Sequence, residues 1–241
     1  MTQGLAIERP WSSMLREGAN HVVQVYRSSP FLHEAVALWA EQAVEDGGGV
    51  ILIGSAANLV AVRTRLEHRG LPLREAEREG RFVALDAEHF MPLFMVNGRV
   101  DVETFDRVAG AIVDRMARAL PGRPLRAWGE MVNLLASRGN PEEAHVLEGA
   151  WNRLIDRSRL QLLCSYQADA RDPYGSAPFR RLLETHSHLL QESNESVTEA
   201  LRLGPFAPAF WMALGHASVA AGLPEPGAAL VKVGSSDDGG S

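Results

Sequence analysis

The sequence predicts an α/β fold with a mostly parallel central sheet, and three observations carry that expectation. Gly47-Gly48-Gly49 leads into Val50-Ile51-Leu52-Ile53, then Gly54-Ser55, then a helical apolar pattern at Leu59, Val60, Val62 and Leu66. The apolar run is too short for a helix of usual length and rich in β-branched residues, so the unit reads as strand, tight turn, helix. Further short apolar runs at 81–85, 124–128 and 160–166 alternate with longer amphipathic stretches, the order that builds a parallel sheet. No internal repeat and no long linker interrupts the 241 residues, so the regular part reads as one domain.

The elements follow in order. Residues 1–20 read as an N-terminal extension, with Trp11 as its possible anchor. Residues 21–26 alternate apolar and polar and are β-branched, which predicts a strand. Ser28-Ser29-Pro30 opens a helix over 31–44, with Leu32, Ala35, Val36, Trp39 and Ala43 on one face. Strand 50–53 and helix 59–68, closed by Gly70, come next. A short charged helical turn at 74–79 leads to strand 81–85, with Asp86 at its carboxyl end. Residues 87–96 fit neither period, and Asn97-Gly98 marks a turn.

A long helix is predicted from Asp101 to about Leu120, where Val102, Phe105, Val108, Ile112 and Met116 recur at helical spacing. Strand 124–128 runs into Gly129-Glu130 and a short helix over 131–137. After the break at Gly139-Asn140-Pro141, a helix over 142–159 starts with acidic residues, as its dipole favours. Strand 160–166 carries Cys164. Helices over 179–191 and about 196–203 are expected to close the regular part. The Gly/Ser/Asp-rich tail from Val233 has a disordered composition. The expected organisation is an extension over 1–20, a main domain over 21–204, and an apolar segment plus tail over 205–241.

Composition excludes several classes. Apolar residues make 46% and charged residues 22% of the chain, the balance of a globular domain. The net charge is −6, with no dense Lys/Arg cluster, which argues against direct nucleic-acid binding. The single cysteine forbids an intrachain disulfide and points to a reducing cytoplasm. The first ten residues lack the apolar core of a secretory signal. The most membrane-like stretch, 206–223, holds Pro208, Gly215, His216 and Ser218 and reads as a buried or partner-facing segment.

Ligands of open parallel sheets bind beyond the carboxyl ends of the strands. That rule selects Gly54, Ser55 and Asn58 after one strand, Asp86 after the next, Gly129 and Glu130 after the third, and Tyr166 with Gln167 after the fourth. Asp86 and Glu130 are suited to holding a cation, to acid–base work, or to capping the helices that follow. The Gly54–Asn58 turn stands where a phosphate loop would stand, yet it has no second glycine and no Lys-Ser pair. No nucleophile elbow surrounds Ser55, and Cys164 inside an apolar strand reads as a small core residue. His186-x-His188 and Glu142-x-x-His145 are too fragmentary for a metal motif, and His21 reads as a hydrogen-bonded structural residue. No cofactor and no metal are expected.

His21-x-x-Gln24-x-Tyr26, the strand ending at Gly54, Leu85-Asp86-Ala87, Gly98-Arg99-Val100-Asp101, Gly129-Glu130-Met131, Asn152, Cys164-x-Tyr166 and the closing Leu182–His186 stretch occur in an order that resembles the MEDS sensory domain. That domain is shared by methanogen and methylotroph signalling proteins and a dichloromethane-responsive repressor. The resemblance covers about 21–191. It implies a RecA/KaiC-like three-layer domain with a degenerate phosphate loop, sensing a small organic ligand and signalling to a kinase or DNA-binding module. No such module is visible here, so the implied output is a separate partner or a second copy, with 206–223 as the candidate contact. Gly54, Ser55, Asn58, Asp86, Glu130 and Tyr166 are the expected ligand site. His21, Gln24, Tyr26 and Cys164 are expected to be structural or ligand-linked. Two rivals stand beside this non-catalytic sensor: a residual ATPase, with Glu130 activating water and Asp86 holding magnesium, and a ligand-free interaction scaffold.

Overall fold

The computed structural model of the chain describes residues 20–168, 185–191 and 230–232. Strand β1 (His21–Tyr26) is followed by helix α1 (Ser29–Glu45), β2 (Gly49–Gly54), α2 (Ala56–His68), α3 (Leu73–Arg78) and β3 (Phe82–Asp86). A short helix α4 (Ala87–Phe90), a 3-10 turn (Met91–Leu93) and the hairpin β4 (Met95–Val96) and β5 (Arg99–Val100) come next. Then follow α5 (Val102–Ala119), β6 (Leu125–Gly129), α6 (Met131–Ser137), α7 (Pro141–Arg157), β7 (Leu160–Gln167), β8 (His188–Gln191) and β9 (Leu230–Lys232).

The main sheet has the order β3-β2-β6-β7-β1-β8-β9. All neighbours pair in parallel except β9, which runs antiparallel to β8. Every residue of β1, β2 and β6 is buried, because helices cover both faces. On one face α1, α2 and α3 pack over Val22, Tyr26, Val50, Leu52 and Trp128. On the other, α5, α6 and α7 pack over Val23, Val25, Ile51, Ala127 and Leu162. The alternation that predicts β1 is therefore not apolar-in, polar-out. His21 and Gln24 are as buried as their valine neighbours and need partners inside the protein.

Local chemistry sets the element ends. Asp101 caps α5 by accepting from the Thr104 N–H at 3.0 Å. Asn97 and Gly98, at φ 51° and 77°, make the left-handed pair that a two-residue hairpin needs. The ambiguous stretch before them resolves into α4, a 3-10 turn and the first strand of that hairpin. Arg126 is buried in β6; its guanidinium donates to Trp39 O and Gln161 Oε1 at 3.1 Å each and lies 5.2 Å from the Trp39 ring centre. Burial lowers its pKa to about 10, although Asp46 opposes the shift.

One expectation is corrected. The helix predicted over 179–191 does not extend to its end, because His188–Gln191 form β8 on the edge of β1. An open strand edge leaves backbone donors and acceptors unpaired, and pairing them overrides local helical periodicity. The predicted helix over 196–203, the apolar stretch 206–223 and the tail from Val233 lie outside the described residues. No helix among the described residues is long and apolar enough to cross a membrane.

Candidate functional site

Two polar constellations are built into this sheet. The first lies at its carboxyl rim. The connection after β2 runs to β3 and the connection after β6 runs to β7, in opposite directions across the sheet. A crevice therefore opens between the ends of β2 and β6, where open sheets bind ligands. Gly54 is required there by close approach. A Cβ on it would overlap the buried Trp128 ring and come within 3.1 Å of Glu130 Oε2. The Trp128 ring is held by its own N–H, which donates to Ser165 Oγ at 2.9 Å.

Glu130 is buried at the first position beyond β6 and does not cap α6. Its carboxylate reaches to the β2–α2 turn instead. Oε2 accepts the Ser55 backbone N–H at 2.8 Å, and Oε1 accepts from Asn58 Nδ2 at 2.7 Å. Asn58 Oδ1 in turn lies 2.7 Å from His33 Nε2 on α1. Burial lowers the His33 pKa; the Asn58 hydrogen bond opposes that shift and nearby Arg65 adds to it. Tyr26 is buried too, and burial together with the Glu130 charge raises its phenol pKa. Asp86 does what its alternative role predicts: it caps α4, accepting the Glu88 N–H at 2.8 Å, with His89 Nδ1 at 3.4 Å.

The second constellation lies beneath α7, near the starts of β1 and β8. His21, Glu148, Cys164 and His186 are all buried. His21 Nε2 is 3.2 Å from Glu148 Oε2 and 3.4 Å from Cys164 Sγ, and Cys164 Sγ is 3.4 Å from the same carboxylate oxygen. His186 Nε2 is 3.2 Å from Glu148 Oε1, which also accepts from the Tyr166 hydroxyl at 2.5 Å. The two imidazole centres are 4.1 Å apart.

Asn152 organises the far side. Its amide nitrogen donates to Thr185 O at 3.1 Å, which leaves Oδ1 to face His21 Nδ1 at 2.8 Å. Oδ1 only accepts, so the proton of a neutral His21 sits on Nδ1 and the Nε2 lone pair points into the cluster. Burial, followed by the neighbouring His186, holds the His21 pKa below its usual value. Burial alone would raise the Glu148 carboxyl, but the two histidines, His186 foremost, together outweigh it and hold the pKa low. Burial, reinforced by the Glu148 charge, raises both the Cys164 thiol and the Tyr166 phenol.

The structure thus brings together Gly54, Ser55, Asn58 and Glu130 from the expected site, while Asp86 is engaged in its cap. Tyr166 belongs to the second constellation, with its hydroxyl on Glu148. Of the expected structural residues, His21 and Cys164 also lie there. Gln24 takes part in a separate chain on the opposite face, accepting from Ser165 Oγ at 2.9 Å, and Tyr26 packs near Glu130. Glu148 escapes notice in the sequence, although a signal exists. It stands within the buried stripe Ala144, Leu147, Trp151 and Leu154 of an amphipathic helix, where a charged residue requires a partner. His186 shows in the sequence only as half of a His-x-His fragment, because its partners come from distant segments.

The family model described as "MEthanogen/methylotroph, DcmR Sensory domain", MEDS, matches residues 20–187. No curated protein sequence matches the chain. Among solved structures, a KaiC-like protein from the hyperthermophilic archaeon Pyrococcus horikoshii OT3 is similar, with a TM-score of 0.50 at 13% identity over 72% of this chain and 71% of that one. At that identity the likeness establishes the RecA/KaiC-like fold alone.

Proposed function

The chain belongs to the MEDS family of sensory domains, and on that premise we propose that it is a non-catalytic receiver. It takes in a small organic molecule at the crevice between β2 and β6 and passes the signal on by protein contact. Ser55, Asn58 and Glu130 form the contact surface, with Gly54 keeping the turn close. The output is a separate kinase or transcription regulator, or a second copy of the chain, in a cytoplasmic setting. Residues 206–223 are the proposed contact segment.

One observation carries this reading: the Glu130 carboxylate occupies the anion position of the β2–α2 turn. A backbone N–H at a helix N-terminus is the element that holds phosphate groups in nucleotide-binding folds. Here the Ser55 N–H is already taken by a buried carboxylate. A phosphate would have to displace that carboxylate and approach its negative charge, without a lysine in the turn to offset the repulsion. A neutral or weakly polar molecule meets no such barrier.

The test is native mass spectrometry of the purified full chain, followed by denaturation to identify what is released, with hydrogen exchange of the segments 54–58 and 129–133. A released organic molecule that protects those segments on re-addition is the expected result. Magnesium-dependent ATP turnover abolished by Glu130→Gln overturns the reading in favour of a residual ATPase. Partner capture that depends on 206–223 and ignores substitutions at the rim overturns it in favour of a scaffold.

A further inference from the structure

From the buried constellation beneath α7, we infer that His21, Glu148, Cys164 and His186 form a binding site for one divalent transition-metal ion of the zinc class. The site is separate from the rim crevice and does not depend on the function proposed for it.

The geometry is that of a tetrahedral set. Each of the four residues offers one ligand atom, and these atoms all lie within 4.8 Å of one another. Zinc-to-nitrogen, -oxygen and -sulfur bonds of about 2.0–2.3 Å place the corners of a tetrahedron roughly 3.3–3.7 Å apart. His21 Nε2, Glu148 Oε2 and Cys164 Sγ stand 3.2, 3.4 and 3.4 Å from one another, and His186 Nε2 lies 3.2 Å from the other carboxylate oxygen, Oε1. Three corners already stand near the spacing an ion would impose, and the fourth donor lies within 4.8 Å of each of them.

The donor chemistry agrees. Two imidazole nitrogens, a thiolate and a carboxylate oxygen make the mixed nitrogen, sulfur and oxygen set that suits zinc rather than magnesium or calcium. The His21 Nε2 lone pair and a Glu148 carboxylate oxygen face each other at 3.2 Å. Asn152 directs the His21 Nε2 lone pair inward, and Glu148 and Cys164 face it. A cation resolves that crowding of acceptors, and its charge matches: thiolate plus carboxylate carry two negative charges against two positive, so the buried site is neutral. Binding forms four bonds to the ion and breaks the Cys164 S–H bond, with the proton leaving to solvent; no electron is transferred.

The surroundings are those of a metal centre. A ligating histidine commonly donates its other ring N–H to an oxygen, and ligating carboxylates are themselves hydrogen-bonded. Asn152 Oδ1 serves His21 in this way, and the Tyr166 hydroxyl serves Glu148. Thr185 Oγ1 lies 3.1 Å from His186 Nδ1. Four protein donors fill a tetrahedron and leave no open position, so the ion organises structure rather than activating water. It joins β1, α7, β7 and the residue two before β8, tying the segment that enters β8 to the neighbouring strands.

The experiment uses the full chain, stripped with a chelator, shown by circular dichroism to be folded, and titrated with Co²⁺ as the probe. One equivalent should produce intense visible bands of tetrahedral cobalt and a thiolate-to-cobalt charge-transfer band, both erased by one equivalent of Zn²⁺. Cys164→Ser should abolish the charge-transfer band, and His186→Gln should weaken binding at least tenfold. Glu130→Gln should leave the spectrum unchanged, which separates this site from the rim. If either cluster variant fails to fold, the wild-type spectrum and a chelator-reversible rise in Tm with Zn²⁺ decide alone. A six-coordinate spectrum without the charge-transfer band, or no binding at one equivalent, overturns the inference. The four residues are then a hydrogen-bonded core network.

Discussion

Glu130 Oε2 lies 2.8 Å from the backbone nitrogen of Ser55, so the carboxylate just beyond β6 closes the turn that follows β2. The same carboxylate takes an amide proton of Asn58 through Oε1, and both bonds join neighbouring strands that diverge beyond this point. Glu130 is thus a clasp across the switch point of the sheet. Among the described residues its buried charge is satisfied by two donors rather than by a cation.

Removing the clasp has a predictable cost. Glu130→Ala leaves the Ser55 N–H and the Asn58 amide without their acceptor, and a buried donor left unpaired costs about 1–3 kcal/mol. Glu130→Gln keeps one acceptor oxygen and should cost less. Urea denaturation of both variants should rank them in that order. Equal stability of all three proteins would contradict the clasp.

Gly54 supports the same arrangement from below. Any Cβ there overlaps Trp128, whose ring is fully buried and anchored to Ser165. Overpacking of a fixed core side chain costs about 1–3 kcal/mol, so Gly54→Ala should lower the urea midpoint by a corresponding amount. Trp128→Phe in the same background removes part of the obstruction and should recover some of the loss, which is read as a non-additive double-mutant cycle.

His33 gives the rim a pH signature. Its folded pKa is lowered from 6.5 by burial. The unfolded chain therefore binds more protons between that lowered value and 6.5, and stability falls as pH drops through the window. Going from about pH 7.5 to about pH 5.5, the wild type should lose more stability than His33→Gln, which lacks the titrating ring. The loss should be present in full once the pH lies below the lowered value. Identical pH profiles for the two proteins would remove His33 from the account.

Much of this fold is legible in the sequence, because strand and helix periods and turn residues act locally. The apolar runs ending at Gly54 and Gly129 pair in the sheet as expected, and 131–137 is a helix with the expected bounds. The rim cluster of Gly54, Ser55, Asn58 and Glu130 follows from topology, since strand ends in a parallel sheet converge whatever their side chains. His188–Gln191 misleads, because pairing with β1 is a long-range event that local periodicity does not encode. The meeting of His21, Glu148, Cys164 and His186 is hidden for the same reason, although three of the four draw notice singly. No two of its members lie within one motif: Cys164 reads as a core residue, His21 as a hydrogen-bonded structural one, and His186 as part of a His-x-His fragment too short for a metal site. Glu148, a charged residue on the buried stripe of α7, is the signal that would have joined them.

Tyr166 links that constellation to a measurement that separates its two possible roles. Its hydroxyl donates to Glu148 Oε1 at 2.5 Å, and it is not one of the four proposed ligands. In the chelated protein, Tyr166→Phe removes a hydrogen bond to a charged group, at a cost of about 1.5–3 kcal/mol. With cobalt present, the variant should keep the tetrahedral and charge-transfer bands, because all four donors survive. The cobalt affinity should drop about 10- to 100-fold, the usual effect of losing a group that orients a metal-binding carboxylate. A purely structural tyrosine would show the same stability loss with and without the ion, and an unchanged affinity. The comparison of cobalt affinity with urea stability in this single variant therefore distinguishes a group that positions a metal-binding carboxylate from one that only fills the core.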